Sequence, residues 1–265
     1  MGTDPFYKDH WKTIDPDRMT GYRDGFGWDA LTARLFEPAL IAKGQVIGDF
    51  GCGPGKIAVE LARQAGAAGH VHAFDINREF LQMALGNASS SGLQGRVSVH
   101  ESDGSHLPLK DGALDRICAR NAIMYVDDPV ATLQEFHRVL RPGGLAHAVD
   151  GDWFMMVAEP VDHDLWRRFI KAASHACRHA DMGRKLHGVF KRAGFASVDV
   201  QIVAEPDVDG RLVGMIRNLA KYALASGLID EETTTRVVRE VETALSTGDY
   251  FAVSPQFVVT GRKPG

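Results

Sequence analysis

The residues best suited to chemistry in this sequence are glycines and aspartates that follow short apolar runs. The first run, Val46 to Phe50, leads directly into Gly51-Cys52-Gly53-Pro54-Gly55. Glycine permits positive φ angles and lets the backbone approach a ligand closely. The spacing is GxGxG, whereas a pyrophosphate bound at a helix N-terminus is typical of GxGxxG. This turn therefore favours a ligand that contains a nucleoside and no pyrophosphate.

Two acidic residues follow the next two apolar runs. Asp75 ends the second run, where its carboxylate can accept hydrogen bonds from both hydroxyls of a ribose. Asp103 follows the third run, where a carboxylate can accept from the exocyclic amine of adenine. Each feature is weak alone, but acids and glycines at the ends of three successive strands together predict a nucleoside site.

A parallel sheet must position these residues. Between Gln45 and Val149, apolar runs alternate with amphipathic stretches, which is the βαβ pattern of a doubly wound α/β fold. The predicted strands are Val46 to Phe50, His70 to Asp75, Arg96 to Glu101, Ala113 to Ala119 and Gly144 to Asp150. The predicted helices are Lys56 to Gln64, Arg78 to Asn87 and Pro129 to Leu140.

The pattern changes after Asp150. Residues 160–193 and 211–247 are predicted to be helical, with Gly183 interrupting the first stretch. Two further strands are predicted from Ala196 to Ala204 and from Tyr250 to Thr260. We therefore expect a core sheet with helical insertions.

The N-terminal segment from Asp4 to Trp28 is rich in aromatic residues. It contains Phe6, Tyr7, Trp11, Tyr22, Phe26 and Trp28. A free tail is depleted in aromatic residues, so this segment is expected to pack.

Composition excludes several classes of protein. The net charge of −4 offers no basic surface for a nucleic acid backbone. The three cysteines are too sparse for a disulfide framework, and no apolar run approaches ~18 residues. The N-terminus carries charge where a signal peptide has its apolar core. We expect a cytoplasmic protein without a membrane span and without nucleic acid as its partner.

Several motifs together resemble the class I S-adenosylmethionine-dependent methyltransferases, especially the small-molecule subgroup related to ubiquinone and menaquinone methyltransferases. They are DFGCGPG at 49–55, FDIN at 74–77, SDGSHLPL at 102–109, LDRICARNAIMYVDDP at 114–129 and FHRVLRPGGLAHAVDGDW at 136–153. GRKL at 183–186, KRAGF at 191–195 and VVTGRKPG at 258–265 extend the resemblance more loosely.

The resemblance implies a Rossmann-like sheet of seven strands with the last antiparallel, and helical cap insertions. One domain would cover residues 1–265, with a helical lid at 1–40, a cofactor-binding core at 45–153, and cap helices and terminal strands at 154–265. The cofactor would be S-adenosyl-L-methionine, with S-adenosyl-L-homocysteine as product.

The resemblance also assigns roles to individual residues. Asp75 would hold the ribose, Ile76 would cover one adenine face, and the Asn121 backbone would meet the methionine amino group. The adenine amine would be bound by Asp103, with Gly104 beside it. The remaining cofactor-binding candidates are in the glycine motif: Asp49, Gly51, Cys52, Gly53 and Gly55.

Candidates for the acceptor side come from their position at strand ends. Asp152 and Trp153 leave the carboxyl end of a central strand, where ligands of open α/β sheets bind. Asp152 is the first candidate for a general base and Tyr125 the second. Trp153, Tyr7 and Trp11 are candidates for substrate binding, and aromatic faces would attract the sulfonium.

No metal site is predicted. His175 and His179 are four residues apart on a predicted helix, but no HExxH pattern accompanies them. Asp127-Asp128-Pro129 is interpreted as a helix start.

The expected reaction is in-line transfer of the methyl group to a small aromatic or apolar metabolite. An NAD(P)-dependent oxidoreductase would share the fold but should show GxGxxG. A nucleic acid methyltransferase should show a basic face. A protein that retains the cofactor and catalyses a cyclisation, with or without methylation, is a further alternative. The sequence leaves open the substrate, an O, N, C or S acceptor atom, and the oligomeric state.

Overall fold

The computed structural model describes residues 6–14, 19, 21–22 and 27–265. The other N-terminal residues, including Phe26, belong to the predicted lid and lie outside the described residues. The strands are β1 (Val46–Phe50), β2 (His70–Asp75), β3 (Val97–Glu101), β4 (Leu114–Arg120), β5 (Leu140–Gly151), β6 (Val157–Glu159), β7 (Ala196–Val203), β8 (Phe251–Val253) and β9 (Gln256–Arg262).

The α-helices of the described residues begin near the N-terminus and continue through the chain. They are α1 (Phe6–Lys12), α2 (Ala30–Phe36), α3 (Lys56–Ala65), α4 (Arg78–Ser90), α5 (Pro129–Val139), α6 (His163–Ala173), α7 (Met182–Arg192), α8 (Val213–Ala225) and α9 (Glu231–Thr247). None of them combines the length and the apolar character that crossing a bilayer requires.

Seven strands form one sheet in the order β3-β2-β1-β4-β5-β9-β7. All neighbouring pairs up to β5 are parallel, whereas β9 runs antiparallel to both β5 and β7. The predicted doubly wound α/β sheet with its last strand antiparallel is confirmed. Because β9 is antiparallel, its first residue lies at the same edge as the carboxyl ends of the parallel strands.

Helices cover both faces of the sheet because each has one apolar side. Helices α2, α3 and α4 bury theirs on one face, with Leu61 and Leu81 among the buried side chains. Helices α5 and α7 bury theirs on the other face through Phe136 and Phe190. Helix α5 begins where the sequence predicts, because Asp128 accepts hydrogen bonds from the Val130 and Ala131 amides.

A third apolar cluster lies outside the sheet and forms the cap. It joins helices α6, α8 and α9 to the two-stranded sheet β6-β8, with Phe169 and Val237 fully buried. Trp153 packs against this cap cluster and also against the core of the sheet. The cap is thereby fixed over the edge at which β5 ends.

The main differences from the predicted elements lie after Asp150, although β5 also begins earlier than predicted, at Leu140 and not at Gly144. The helical stretch 160–193 is interrupted at residues 174–181 and not at Gly183, which lies inside α7. Gly183 is needed there because an added Cβ would lie 2.4 Å from the Phe257 ring. The stretch 211–247 is two helices, and the strand predicted from Tyr250 to Thr260 is divided at Ser254-Pro255 into β8 and β9.

His147 lies in the middle of β5 and is 1% exposed. Burial lowers the pKa of His147 to about 3, and the Leu35 backbone offsets only part of this effect. In the unfolded chain, His147 has the ordinary histidine pKa of about 6.5. As the pH falls, the unfolded chain therefore binds a proton at this residue before the folded protein does. Stability from the neutral imidazole is therefore present above about pH 6.5 and is lost progressively toward pH 3.

We expect His147→Leu to make folding less sensitive to acid. Between pH 7.5 and 5, the unfolding free energy of the native sequence should fall by ~2 kcal/mol more than that of the variant. Urea unfolding at the two pH values measures this difference. His163→Leu, at an exposed helix start, is the control and should keep the native pH dependence. Equal pH dependence in all three proteins would contradict the assignment.

Candidate functional site

A cavity of about 290 Å³ opens at the edge where the parallel strands end. Its wall contains these residues named from the sequence: Gly51, Cys52, Gly53, Asp75, Ile76, Asp103, Asn121, Tyr125, Trp11 and Trp153. Asp49, Gly55, Gly104, Tyr7 and Asp152 are not on this wall. The fold thus brings ten of the predicted residues together, from elements that are far apart in the sequence.

The glycine turn is held rigidly between two strands. The amide groups of Gly51 and Cys52 both donate to the Phe74 carbonyl, at 2.8 and 3.0 Å. Gly51 has a φ of +70°, and a Cβ there would lie 2.5 Å from the Ala122 Cβ. Glycine is therefore required at this position for both the backbone angle and the close approach.

Asp75 connects the end of β2 to the glycine turn. Its Oδ2 accepts from the Gly53 amide at 2.8 Å and its Oδ1 from the Asn77 amide at 2.9 Å. Burial raises the pKa of Asp75, and these backbone hydrogen bonds oppose the rise. Each oxygen keeps a further lone pair for a hydroxyl on the cavity side. The geometry suits recognition of a vicinal diol such as ribose.

Asp49 and Gly55 lie behind the turn and support it. Asp49 is 3% exposed, and burial, with Asp75 nearby, raises its pKa to about 7. A Cβ on Gly55 would lie 2.4 Å from the Ala84 Cβ, so this glycine allows α3 to approach α4. The structure therefore does not place these two residues at the ligand surface.

Asp103 is on the cavity wall beyond β3. Ser105 donates to its Oδ1 from both amide and hydroxyl, and Lys8 of α1 donates to Oδ2 at 2.9 Å. The Ser105 hydrogen bond and the Lys8 ammonium hold the pKa of Asp103 well below its usual range. Gly104 instead faces the core, where a Cβ would lie 2.8 Å from the Phe50 ring.

Arg120 and Asn121 form the cavity wall where β4 ends. Asn121 has a φ of +50°, which asparagine tolerates better than most residues, and its amide donates to the Val149 carbonyl at 2.7 Å. Arg120 Nη1 donates to Thr32 Oγ1, but its buried Nε has no partner among the described residues. Burial lowers the pKa of Arg120, opposed by Asp29.

Arg120 was missed in the sequence analysis. The available signal was a cationic side chain beside Asn121 at the end of a central strand, where ligands bind. A buried cation on a cavity wall favours an anionic group of the ligand, such as a carboxylate.

A further part of the cavity wall is aromatic. Trp11, Tyr125 and Trp153 line it, and the rings of Trp11 and Tyr125 meet edge to face with centroids 5.1 Å apart. Burial raises the pKa of Tyr125 well above its usual value, so its hydroxyl stays protonated at neutral pH. The Tyr125 hydroxyl hydrogen-bonds to the Cys177 side chain, which also raises the Tyr125 pKa. Its role as the second candidate for a general base stays a prediction.

Helix α1 lies beside the part of the cavity wall that contains Asp103. Lys8 Nζ lies 2.9 Å from both Asp103 and Asp127, and Asn77 Nδ2 donates to the Trp11 carbonyl at 2.8 Å. Tyr7 was predicted to bind substrate, but its hydroxyl donates to Asp127 behind the wall. Its role is to fasten the helix.

The prediction that Asp152 is a general base also needs correction. Its Oδ2 accepts from Arg184 Nε, and its Oδ1 accepts from Arg184 Nη2 at 2.7 Å and from the Phe154 amide at 3.1 Å. A carboxylate with both oxygens in an ion pair and outside the cavity wall cannot reach an acceptor. Asp152 instead fixes the turn that carries Trp153.

We expect Asp152→Asn to lower the unfolding free energy by ~2 kcal/mol, because the pair with Arg184 is lost from a carboxylate that is fully buried. Affinity for S-adenosylhomocysteine should not change. Chemical unfolding and calorimetry measure the two quantities. Arg184→Met is the matched control, and the double variant should lose little more than either single one. Turnover lost at unchanged stability would restore Asp152 as a base.

The sequence comparisons match this chain to methyltransferases. A methyltransferase-domain family model matches residues 41–194. The methyltransferase GfsG of Streptomyces halstedii is 36% identical over 147 residues, covering 54% of this chain and 50% of that protein. The demethylmenaquinone methyltransferase of Lactobacillus johnsonii is 30% identical over 118 residues, covering 44% and 47%. The chain spans about half the length of these curated relatives.

The fold is also found in solved structures. The [4+2]-cyclase SpnF aligns with a TM-score of 0.56 and 23% identity, covering 88% of this chain and 80% of that one. This likeness concerns the fold alone. Among the described residues, no group of three His, Cys, Asp or Glu side chains is arranged to hold a metal ion.

Proposed function

Because this chain belongs to the class I S-adenosylmethionine-dependent methyltransferases related to those that act on quinones, we propose that it methylates a small aromatic or apolar acceptor. The observation that supports this most is one cavity whose wall combines the carboxylates of Asp75 and Asp103 with the aromatic rings of Tyr125 and Trp153, which follow β4 and β5. The polar end suits a nucleoside, and the aromatic end suits the acceptor.

The residues of the polar end fit S-adenosylmethionine. Asp75 would hold the ribose hydroxyls, Ile76 would cover an adenine face, and Asp103 would accept from the adenine amine. The Asn121 backbone would meet the methionine amino group, and Arg120 would pair with the methionine carboxylate. The unpartnered Nε of Arg120 supports this last role, because a buried cationic donor without a partner is costly.

Bound S-adenosylmethionine supplies an electrophilic methyl group, and the protein supplies alignment. The sheet order places β4 and β5 between the two ends of the cavity, so an acceptor beside Tyr125 and Trp153 would approach from the side opposite the adenosine. The apolar side chains around the acceptor would limit access of water, and alignment of this kind removes much of the entropic barrier. The Tyr125 ring would orient the acceptor by packing against it.

Helix α1 would act as a lid over the bound cofactor. Lys8 forms ion pairs with both Asp103 and Asp127, and these pairs hold the helix in place. Trp11 of the same helix lines the cavity. The lid would therefore connect the adenosine end to the acceptor end.

Calorimetry tests the cofactor. S-adenosylmethionine and S-adenosylhomocysteine should bind at micromolar strength, and NADH should not. Tighter binding of NADH would overturn the proposal.

Labelled methyl groups test the reaction. With methyl-labelled S-adenosylmethionine and a panel of phenols, amines and thiols, label should appear in an acceptor. Conversion of an added polyene without label would instead indicate a cyclisation of the kind named for SpnF.

A further inference from the structure

Gln256 is the first residue of β9 and contributes a polar group to the cavity wall. Its Oε1 is buried and has no hydrogen-bond partner among the described residues. Its Nε2 faces the backbone of the two preceding residues. It lies 3.4 Å from the Ser254 carbonyl oxygen and 3.5 Å from the Pro255 carbonyl oxygen. A buried acceptor without a donor costs free energy unless a ligand supplies the donor.

The sheet order shows which end of the cavity Gln256 belongs to. Strand β9 is separated from β1 by β4 and β5, so at a strand spacing of ~4.8 Å it lies ~14 Å from the glycine turn. Asp75 and Asp103 follow β2 and β3, on the other side of β1. Gln256 is therefore at the acceptor end, beside Gly151 of β5, with which it pairs.

Helix α8 contributes one of its faces to the wall of the same cavity. Met215, Asn218, Leu219 and Tyr222 line the cavity at a spacing of three, four and seven residues, which places them on the same side of a helix. Asn218 is the one carboxamide on this face, and no hydrogen bond occupies its amide among the described residues. An unpaired amide within an otherwise apolar wall favours recognition of a polar ligand group.

We propose that Gln256 and Asn218 select an acceptor that carries a neutral hydroxyl group on an aromatic or apolar frame. The hydroxyl hydrogen is donated to Gln256 Oε1, and the hydroxyl oxygen accepts from the Asn218 amide. A hydroxyl group is both donor and acceptor, so it satisfies both carboxamides. This inference rests on the proposed function, since it names the chemistry of the acceptor.

The assignment has a clear consequence for specificity. A cavity that hydrogen-bonds a ligand hydroxyl rejects an analogue without it, because the buried polar groups are then left unpaired. The aromatic wall binds the frame of either compound. The hydroxyl should therefore decide the difference in affinity.

The experiment compares 2-naphthol with naphthalene, measured by equilibrium dialysis against protein saturated with S-adenosylhomocysteine. The native protein should bind 2-naphthol at least tenfold more tightly. Gln256→Met keeps the length of the side chain and should reduce this preference to less than threefold. Gln201→Met, at an exposed position of β7, is the matched control and should keep the native preference. Asn218→Leu provides a second variant, on a different element, and should also weaken the preference.

Equal affinities for the two compounds in the native protein would overturn the inference, as would binding of neither. An unchanged preference in both Gln256→Met and Asn218→Leu would overturn it too. Calorimetry with S-adenosylhomocysteine alone separates this failure from that of the proposed function. Protein that binds the nucleoside and shows no preference for the hydroxyl contradicts only the acceptor assignment, whereas protein that does not bind the nucleoside contradicts both.

Discussion

Asp75→Ala is expected to weaken binding of S-adenosylhomocysteine by about 30- to 800-fold, which is roughly 2–4 kcal/mol. The Asp75 carboxylate is the proposed acceptor for two ribose hydroxyls, and hydrogen bonds to a charged group are stronger than neutral ones. It also accepts from the Gly53 amide, so the variant loses part of the support of the glycine turn. Calorimetry measures the change in affinity.

The control is Asp75→Asn, which keeps an acceptor oxygen of the same size and should lose less affinity than the alanine variant. 5′-Methylthioadenosine, which has the ribose without the amino acid, should lose affinity in parallel with S-adenosylhomocysteine. A folded Asp75→Ala protein with native affinity for both nucleosides would remove Asp75 from the site.

Arg120→Met should weaken binding of S-adenosylhomocysteine by about 10- to 150-fold, because a hydrogen-bonded ion pair with the ligand carboxylate is worth roughly 1.5–3 kcal/mol. In contrast to Asp75→Ala, it should leave the affinity for 5′-methylthioadenosine unchanged, since that nucleoside has no carboxylate. The ratio of the two affinities is therefore the diagnostic quantity.

Arg116→Met is the matched control for Arg120. It lies on the same strand, four residues earlier, and its Nε donates to the Ala39 carbonyl and not to the cavity. This variant should keep the native ratio. An Arg120→Met protein that loses affinity for both nucleosides equally would show that Arg120 acts through the fold.

The cofactor end of the cavity could be predicted from the sequence because its residues follow consecutive strands. The candidates lie at, or within three residues of, the end of an apolar run, as Gly53, Asp75 and Asp103 do. Parallel strands place their carboxyl ends at one edge of the sheet. The strands themselves have the β-branched and apolar composition that a buried parallel sheet requires.

The division of the glycines into two roles could not be predicted in this way. Gly51 is at the cavity, whereas Gly55 and Gly104 make room for Ala84 and Phe50. Close approach of a ligand and close packing of a side chain both require glycine. Which of the two roles a glycine has depends on side chains that are distant in sequence.

Asp152 shows the same limit for charged residues. Its place after a central strand favoured a catalytic role, but its partner Arg184 is 32 residues further along the chain. The sequence close to Asp152 does not indicate a partner that far along the chain. Gln256 was missed for a related reason, since an antiparallel strand brings its first residue, and not its last, to the edge where ligands bind.

The insertion of β9 between β5 and β7 has a consequence for engineering this molecule. The predicted cofactor-binding residues on the cavity wall lie between positions 51 and 121, whereas Gln256 and the lining face of α8 come from the last quarter of the chain. Segments near 213–225 and 254–256 can therefore be exchanged or randomised as a cassette without altering the nucleoside-binding half. A library confined to these positions should change the acceptor preference and keep the affinity for S-adenosylmethionine. Binding of S-adenosylmethionine could then be used to select the folded variants.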